Sequence, residues 1–141
     1  AGGFSCSFHT LEKCGFLPVM MILLIIQDTQ KSLSTLSQSV INKYGRLYFE
    51  ERSYSYPTHL KPLIVNRLPD LEIDDIQPLL NTPIEKLQKN DGLKVVFNTG
   101  DWGLIRLSGT EPVARIYAES SSQKTADQIT SQLTELIQTI S

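Results

Sequence analysis

Apolar and polar residues follow different rhythms along this chain, and each rhythm predicts a different element. Residues 16–27 are apolar on every face, the pattern of a buried helix; Pro18 is tolerated only in a first turn and so places the helix start near it. Residues 33–43 carry Leu33, Leu36, Val40 and Ile41 on one stripe behind Ser32, a good N-cap residue, and Gly45 ends the run. Beyond Gly45 the composition shifts to alternating Tyr, Phe and Arg. This predicts a strand over 46–56 with Leu47 and Phe49 on one face, and a domain boundary between 44 and 45. Leu60, Leu63, Ile64 and Leu68 have helical spacing over 58–68, with Pro62 near the helix start. Residues 69–90 hold Pro69, Pro78 and Pro83 among acidic and polar residues and read as loop with a short turn of helix at most. Strands follow at 93–97, 102–107 and 113–118. In the last of them Ala114, Ile116 and Ala118 share one face, while Val113, Arg115, Tyr117 and Glu119 share the other. The serines at 120–122 offer caps to a final helix whose stripe is Ala126, Ile129, Leu133, Leu136, Ile137 and Ile140. Trp102 reads as a core residue. Helices gathered on one face of strands joined by tight turns make an α+β fold with an antiparallel sheet.

The candidate chemistry lies in the loop between the last two strands, Arg106-Leu107-Ser108-Gly109-Thr110-Glu111-Pro112. A guanidinium is a planar fork matched to phosphate oxygens, and Ser108 and Thr110 add hydroxyl donors. Gly109 tolerates the positive φ of a tight turn, which lets successive backbone amides converge on one anion. Arg115 lies on the following strand within reach of the same anion. Glu111 reads as orienting the loop, because a carboxylate beside a phosphate is repelled. An ordinary hairpin turn favours Ser, Gly and Thr for backbone reasons alone, and composition does not separate the two readings.

Composition narrows the classes of partner. The 141 residues suffice for one ordinary domain, and the net charge is −2 with no basic run. Nucleic acid and anionic membrane surfaces both demand clustered Lys and Arg, so any anion site here is local. The apolar run at 16–26 is too short to span a bilayer. Cys6 and Cys14 read as free thiols of a reducing cytoplasm, with no metal-ligand spacing around them.

Asp91-Gly92-Leu93-Lys94, then Trp102, then the unbroken run from Arg106 through Arg115-Ile116-Tyr117-Ala118-Glu119 resembles the last domain of the α-D-phosphohexomutases, the phosphoglucomutase/phosphomannomutase family. A second stretch, Gly2-Gly3-Phe4-Ser5, His9 and Glu12-Lys13, is similar to the segment that follows the family's sugar-binding loop. The resemblance implies a four-stranded antiparallel sheet with two flanking helices, of the TATA-box-binding-protein-like type, over residues 45–141. Residues 1–44 it implies to be a helical remnant of the sugar-binding third domain with a linker helix.

In function, the resemblance implies a domain that binds the non-transferred phosphate of a hexose phosphate while a phosphoryl group moves between the 1- and 6-hydroxyls. Arg106, Ser108, Gly109, Thr110 and Arg115 are then the phosphate-binding residues, and Lys13 and His9 lie near the substrate, although Cys14 stands where the family has an aspartate. The family's catalytic serine and its Mg²⁺-binding acidic loop match nothing in this sequence, so no catalytic residue and no metal ligand is expected here and the isolated chain is expected to be inactive. Expected partners are a hexose phosphate and the upstream domains, with no nucleic acid and no membrane; the apolar run at 16–26, left uncovered, is expected to pair with a second copy in a non-native dimer. The alternative is a stand-alone sugar-phosphate or anion-binding module.

Overall fold

The computed structural model describes residues 4–8 and 11–140. The chain forms two compact units, the first ending at Gly45 and the second beginning at Arg46.

The first unit holds α1 (Phe16–Thr29) and α2 (Leu33–Tyr44), which meet at a 90° bend. Ser32 caps α2 as its sequence demands, its hydroxyl accepting from the Thr35 amide at 3.2 Å. Gly45 closes α2 with φ of 86°, a conformation only glycine adopts freely. The expectation of a buried α1 is corrected, since none of its residues is buried and Phe16 is 75% exposed. Within its unit α1 has one helical neighbour, and a single helix covers only one side of another. Ile22 and Ile25 line a cleft with Leu33, Leu36 and Val40 of α2, while the rest of the apolar surface of α1 has no helix over it. Among the described residues no single helix is long and apolar enough to cross a membrane.

The second unit is built on one antiparallel sheet of β1 (Tyr48–Ser55), β2 (Ile84–Gln88), β3 (Leu93–Phe97), β4 (Trp102–Leu107) and β5 (Val113–Ser120), in the order β1-β5-β4-β3-β2. Five strands replace the four expected. The additional one, β2, lies in the stretch read as loop, directly after Pro83. It is an edge strand with the sequence Ile-Glu-Lys-Leu-Gln, in which only Ile84 is buried, so it shows no alternation to detect. The same stretch holds the short α4 (Ile73–Ile76), capped reciprocally by Glu72 and Asp75. The helix expected over 58–68 is broken into a 3₁₀ turn at Thr58–Leu60 and α3 (Lys61–Arg67), followed by a second 3₁₀ turn at Leu68–Asp70 that contains Pro69.

The core is the layer between one sheet face and α5 (Gln123–Ile140), with α3 beside it. Leu93, Val95, Phe97, Ile105, Ala114, Ile116 and Ala118 from the sheet meet Ala126, Ile129, Leu133, Leu136, Ile137 and Ile140 from α5, and Ile64 from α3 joins them. Each large aliphatic side chain buried this way contributes about 1.5–3 kcal/mol. Small residues set how close α5 can lie. At Gly103, opposite Ala118, a Cβ would fall 2.5 Å from Leu133 Cδ1 and 2.6 Å from Ile129 Cγ2. On the same face of β1, Tyr54 packs against the core, and Arg52 reaches α5 through the Ser131 hydroxyl at 2.8 Å and the Asp127 carboxylate at 3.9 Å. Leu47, placed within the strand by its sequence, precedes it and is exposed.

Two glycines carry this geometry. Gly92, at φ 103°, turns the chain from β2 into β3, and a side chain there would collide with the Ile105 carbonyl. Gly92→Ala is expected to cost about 3 kcal/mol or more, strain and collision together. Gly103→Val, which meets only the ends of two side chains, is expected to cost about 1–3 kcal/mol. Urea midpoints of the two variants check both values and their order.

Candidate functional site

The candidate site occupies one end of the β4–β5 hairpin. Pairing sets Arg106 directly opposite Arg115 and Leu107 opposite Ala114, and because side chains alternate, both guanidiniums stand on the sheet face away from α5. The Ser108 amide donates to the Val113 carbonyl at 2.9 Å, closing the loop over residues 109–112. Within that loop the Ser108 hydroxyl accepts from the Glu111 amide at 3.2 Å, a local turn of the kind serine favours. That bond uses the backbone of Glu111 and not its carboxylate. A further anchor holds the loop's far end, where the Tyr56 amide donates to the Pro112 carbonyl at 3.1 Å.

Arg106, Leu107, Ser108, Gly109 and Arg115 line a cavity of about 220 Å³. That lies below the roughly 300–1,000 Å³ of pockets that take a whole small molecule, and it suits a single anionic group. Two like charges directly opposite on neighbouring strands destabilise the pair. Here each is balanced by a carboxylate: Asp91 lies 3.2 Å from Arg106 and Glu51 lies 3.8 Å from Arg115. All four side chains are at least 42% exposed, so these pairs are weak, worth about 0–1 kcal/mol each, and readily exchanged. Neither the Thr110 amide nor its hydroxyl has a hydrogen-bond partner among the described residues. Two guanidiniums and the Ser108 hydroxyl line the cavity, and Thr110 is not among its lining residues.

One local expectation is corrected. Gly109 does not adopt a positive φ, and nothing lies within 4 Å of the place a Cβ would take. The backbone at 109 is therefore one that other residues can adopt, and what bends the chain is the Ser108–Val113 closure with Pro112. Trp102 is also not a core residue. It lies half-buried on the outer sheet face with the Lys94 ammonium 4.1 Å from its ring centroid, and its indole N–H donates to Glu119 at 3.1 Å. Phe49 stacks on Tyr117 on the same face, with ring centroids 6.0 Å apart.

The remaining sequence-predicted residues are not part of this loop. Lys13 is an exposed residue of the first unit, and His9 lies outside the described residues, as do Gly2 and Gly3. Two residues that sequence reading did not single out, Glu51 and Lys61, belong to the site's surroundings together with Asp91, which sequence reading names only as part of a motif. Asp91 and Glu51 neutralise the arginines, and Lys61 donates to the Gly109 carbonyl at 2.8 Å. Sequence separation from the loop, 48 positions for Lys61, hides Glu51 and Lys61 from motif reading. No group of three or more His, Cys, Asp and Glu side chains among the described residues is placed to hold a metal ion. The Mg²⁺ that the resemblance implies therefore has no fitting donor set among the described residues.

Comparisons with known proteins bear on the family and the fold. A family model described as the phosphoglucomutase/phosphomannomutase C-terminal domain matches residues 63–136. A phosphopentomutase from Thermococcus kodakarensis is 27% identical over 110 residues, covering 78% of this chain and 23% of that protein. A phosphoglucomutase/phosphomannomutase from the same organism is 46% identical over 41 residues, 29% of this chain and 9% of its own length. The chain thus spans less than a quarter of the length of these curated relatives. The crystal structure of parafusin, a phosphoglucomutase from Paramecium, in its open form, superposes over 95% of this chain and 28% of its own with a TM-score of 0.61 at 20% identity, a likeness of fold.

Two predictions test the loop. Gly109→Ala should leave both stability and anion affinity within about twofold of the parent, since the position is open and needs no special φ; a phosphate titration of the variant checks this. Tyr56 is 4% exposed and its hydroxyl has no partner, and burial raises its phenol pKa above the ordinary 10.0. The unfolded chain ionises first, so the tyrosine's share of stability is complete below pH 10.0 and is lost as pH rises through the raised folded value. Tyr56→Phe is expected to raise stability by about 1 kcal/mol and to weaken the alkaline decline, both measured by urea unfolding at pH 7 and above pH 10.

Proposed function

The chain belongs to the phosphoglucomutase/phosphomannomutase family through its C-terminal domain, and from that membership we propose that its β4–β5 loop holds the phosphate group of a sugar phosphate that is not being transferred. The observation that carries this reading is the register that sets Arg106 opposite Arg115 at the mouth of a cavity sized for one anionic group. A dianion between them relieves their repulsion, and it exchanges two weak carboxylate contacts for charge-assisted bonds to a fixed pair of forks. The Ser108 and Thr110 hydroxyls and the Thr110 amide complete the shell.

Such a site works by positioning. Fixing the far phosphate of a substrate orients the hydroxyl that reacts at its other end and raises the effective molarity of that encounter. The loop itself contributes no chemistry of bond making. The Ser108 hydroxyl is placed as the acceptor of a backbone amide, with no base beside it to activate it as a nucleophile. The isolated chain accordingly has no mutase activity in this reading. The relatives are named for pentose and hexose substrates alike, and a clamp that touches only the phosphate accepts either.

A pair of measurements tests the proposal. The chain should bind inorganic phosphate and hexose 1-phosphate with similar, weak affinity and give no isomerisation of the hexose phosphate above blank. In a mutase that carries this domain, Arg106→Ala removes one charge-assisted contact of about 1.5–3 kcal/mol, so kcat/KM should fall roughly ten- to a hundredfold. An unchanged kcat/KM in that variant overturns the clamp. Tight binding of a hexose phosphate by the chain alone would instead favour the stand-alone binding module.

A further inference from the structure

Beside the two-arginine cavity, Lys61, from the start of α3, Val65, Leu68, Lys89 and Asp91 line a larger space of about 400 Å³ that shares Arg106, Leu107, Ser108 and Gly109 with the clamp. Two of its three cations are committed to acids, Lys89 to Glu72 at 2.8 Å and Arg106 to Asp91 at 3.2 Å. Lys61 has no acidic partner among the described residues, and its ammonium donates to the Gly109 carbonyl at 2.8 Å.

That bond falls on a peptide that begins at a glycine. Gly109 has no side chain, no neighbour within 4 Å of its Cβ position and no positive φ to restrict it, and glycine reorients at low cost. The described peptide bonds are all trans, so the carbonyl of residue 109 and the N–H of residue 110 point in opposite directions. Drawing the Gly109 carbonyl toward Lys61 turns the Thr110 N–H away from Lys61. With this peptide turned over, a carbonyl oxygen would face the anion in place of the amide, and a repulsive dipole would replace an attractive one.

We propose that Lys61 is a positioning residue of the anion clamp, holding the Gly109–Thr110 peptide in the orientation that presents the Thr110 amide to the bound phosphate. The proposal rests on the clamp reading and extends it to a residue 48 positions away from the loop in sequence. It also accounts for the geometry of the lysine: a flexible ammonium with no carboxylate partner is spent on a single backbone oxygen, at the loop's only glycine.

The test is a titration of the isotope-labelled chain with inorganic phosphate, followed on the backbone amides, for the parent and for Lys61→Met and Lys61→Arg. In the parent the Thr110 amide proton should move downfield in a saturable way. Lys61→Met should weaken phosphate binding by about five- to tenfold and lose the downfield movement of Thr110 at saturation, while the amides of the β3 and β5 core positions stay in place. Lys61→Arg, which keeps a charged donor, should restore most of both; Lys61→Gln substitutes for the Met variant if that one does not fold. Parent affinity and a parent Thr110 shift in the Met or Gln variant overturn the proposal while leaving the clamp standing. A weakened affinity with the Thr110 shift at saturation unchanged also overturns it, because that is the signature of general charge and not of peptide orientation. A parent chain in which phosphate moves no amide of residues 106–115 overturns the clamp and this role together.

Discussion

The second unit depends on the antiparallel pairing of β4 with β5. One register assigns Ile105, Ala114, Ile116 and Ala118 to the face beneath α5 and Arg106 and Arg115 to the opposite face. A slip of one residue would exchange the faces, burying two guanidiniums and exposing the aliphatic row. The energy that fixes the register is hydrophobic and comes from the α5 side, yet its consequence is electrostatic and appears on the other. The site is therefore held by the core without touching it. The loop needs little internal structure of its own, because the strands on both sides of it are already in place.

The outer face shows how such a charge arrangement is tolerated without an anion. Two opposed arginines on neighbouring strands would repel, and carboxylates from β1 and from the β2–β3 turn, Glu51 and Asp91, compensate them at 3.8 and 3.2 Å. Because these contacts are exposed, they cost little to break and little to re-form. Deeply buried acids would have given a tighter resting structure and a poorer anion site, since an incoming phosphate would then have to displace a desolvated ion pair. Weak compensation keeps the guanidiniums available.

Much of the fold was legible in the sequence because most elements of the second unit obey their own period. The stripe of α5 and the alternation of β5 each carry their signal within a few residues, and the Arg106-to-Glu119 run identifies the loop directly. What stayed hidden lacks a local signal. β2 is a polar edge strand after a proline, held by pairing on one side alone. Gly103 looks like any glycine in a strand until Leu133 and Ile129 are found above it. Lys61 and Glu51 belong to the site's surroundings through contacts made by tertiary folding, and no spacing rule reaches them. Gly109 misled in the opposite direction, since the residue that permits a left-handed turn is here used in an ordinary one.

The first unit shows where a periodicity argument stops. An all-apolar run implies burial only if something in the structure is available to cover it, and within that unit α2 supplies one face of contact to a helix apolar on every side. The second unit has no such deficit: sheet, α3 and α5 close a single cluster whose members from Tyr56 to Ile140 are nearly solvent-free. That difference decides which unit can support a site. The proposed recognition of a phosphate by two flexible arginines would require a backbone that does not yield when the anion pulls on it, and the β4–β5 hairpin, pinned from below by α5 and from the side by Tyr56 at Pro112, supplies one.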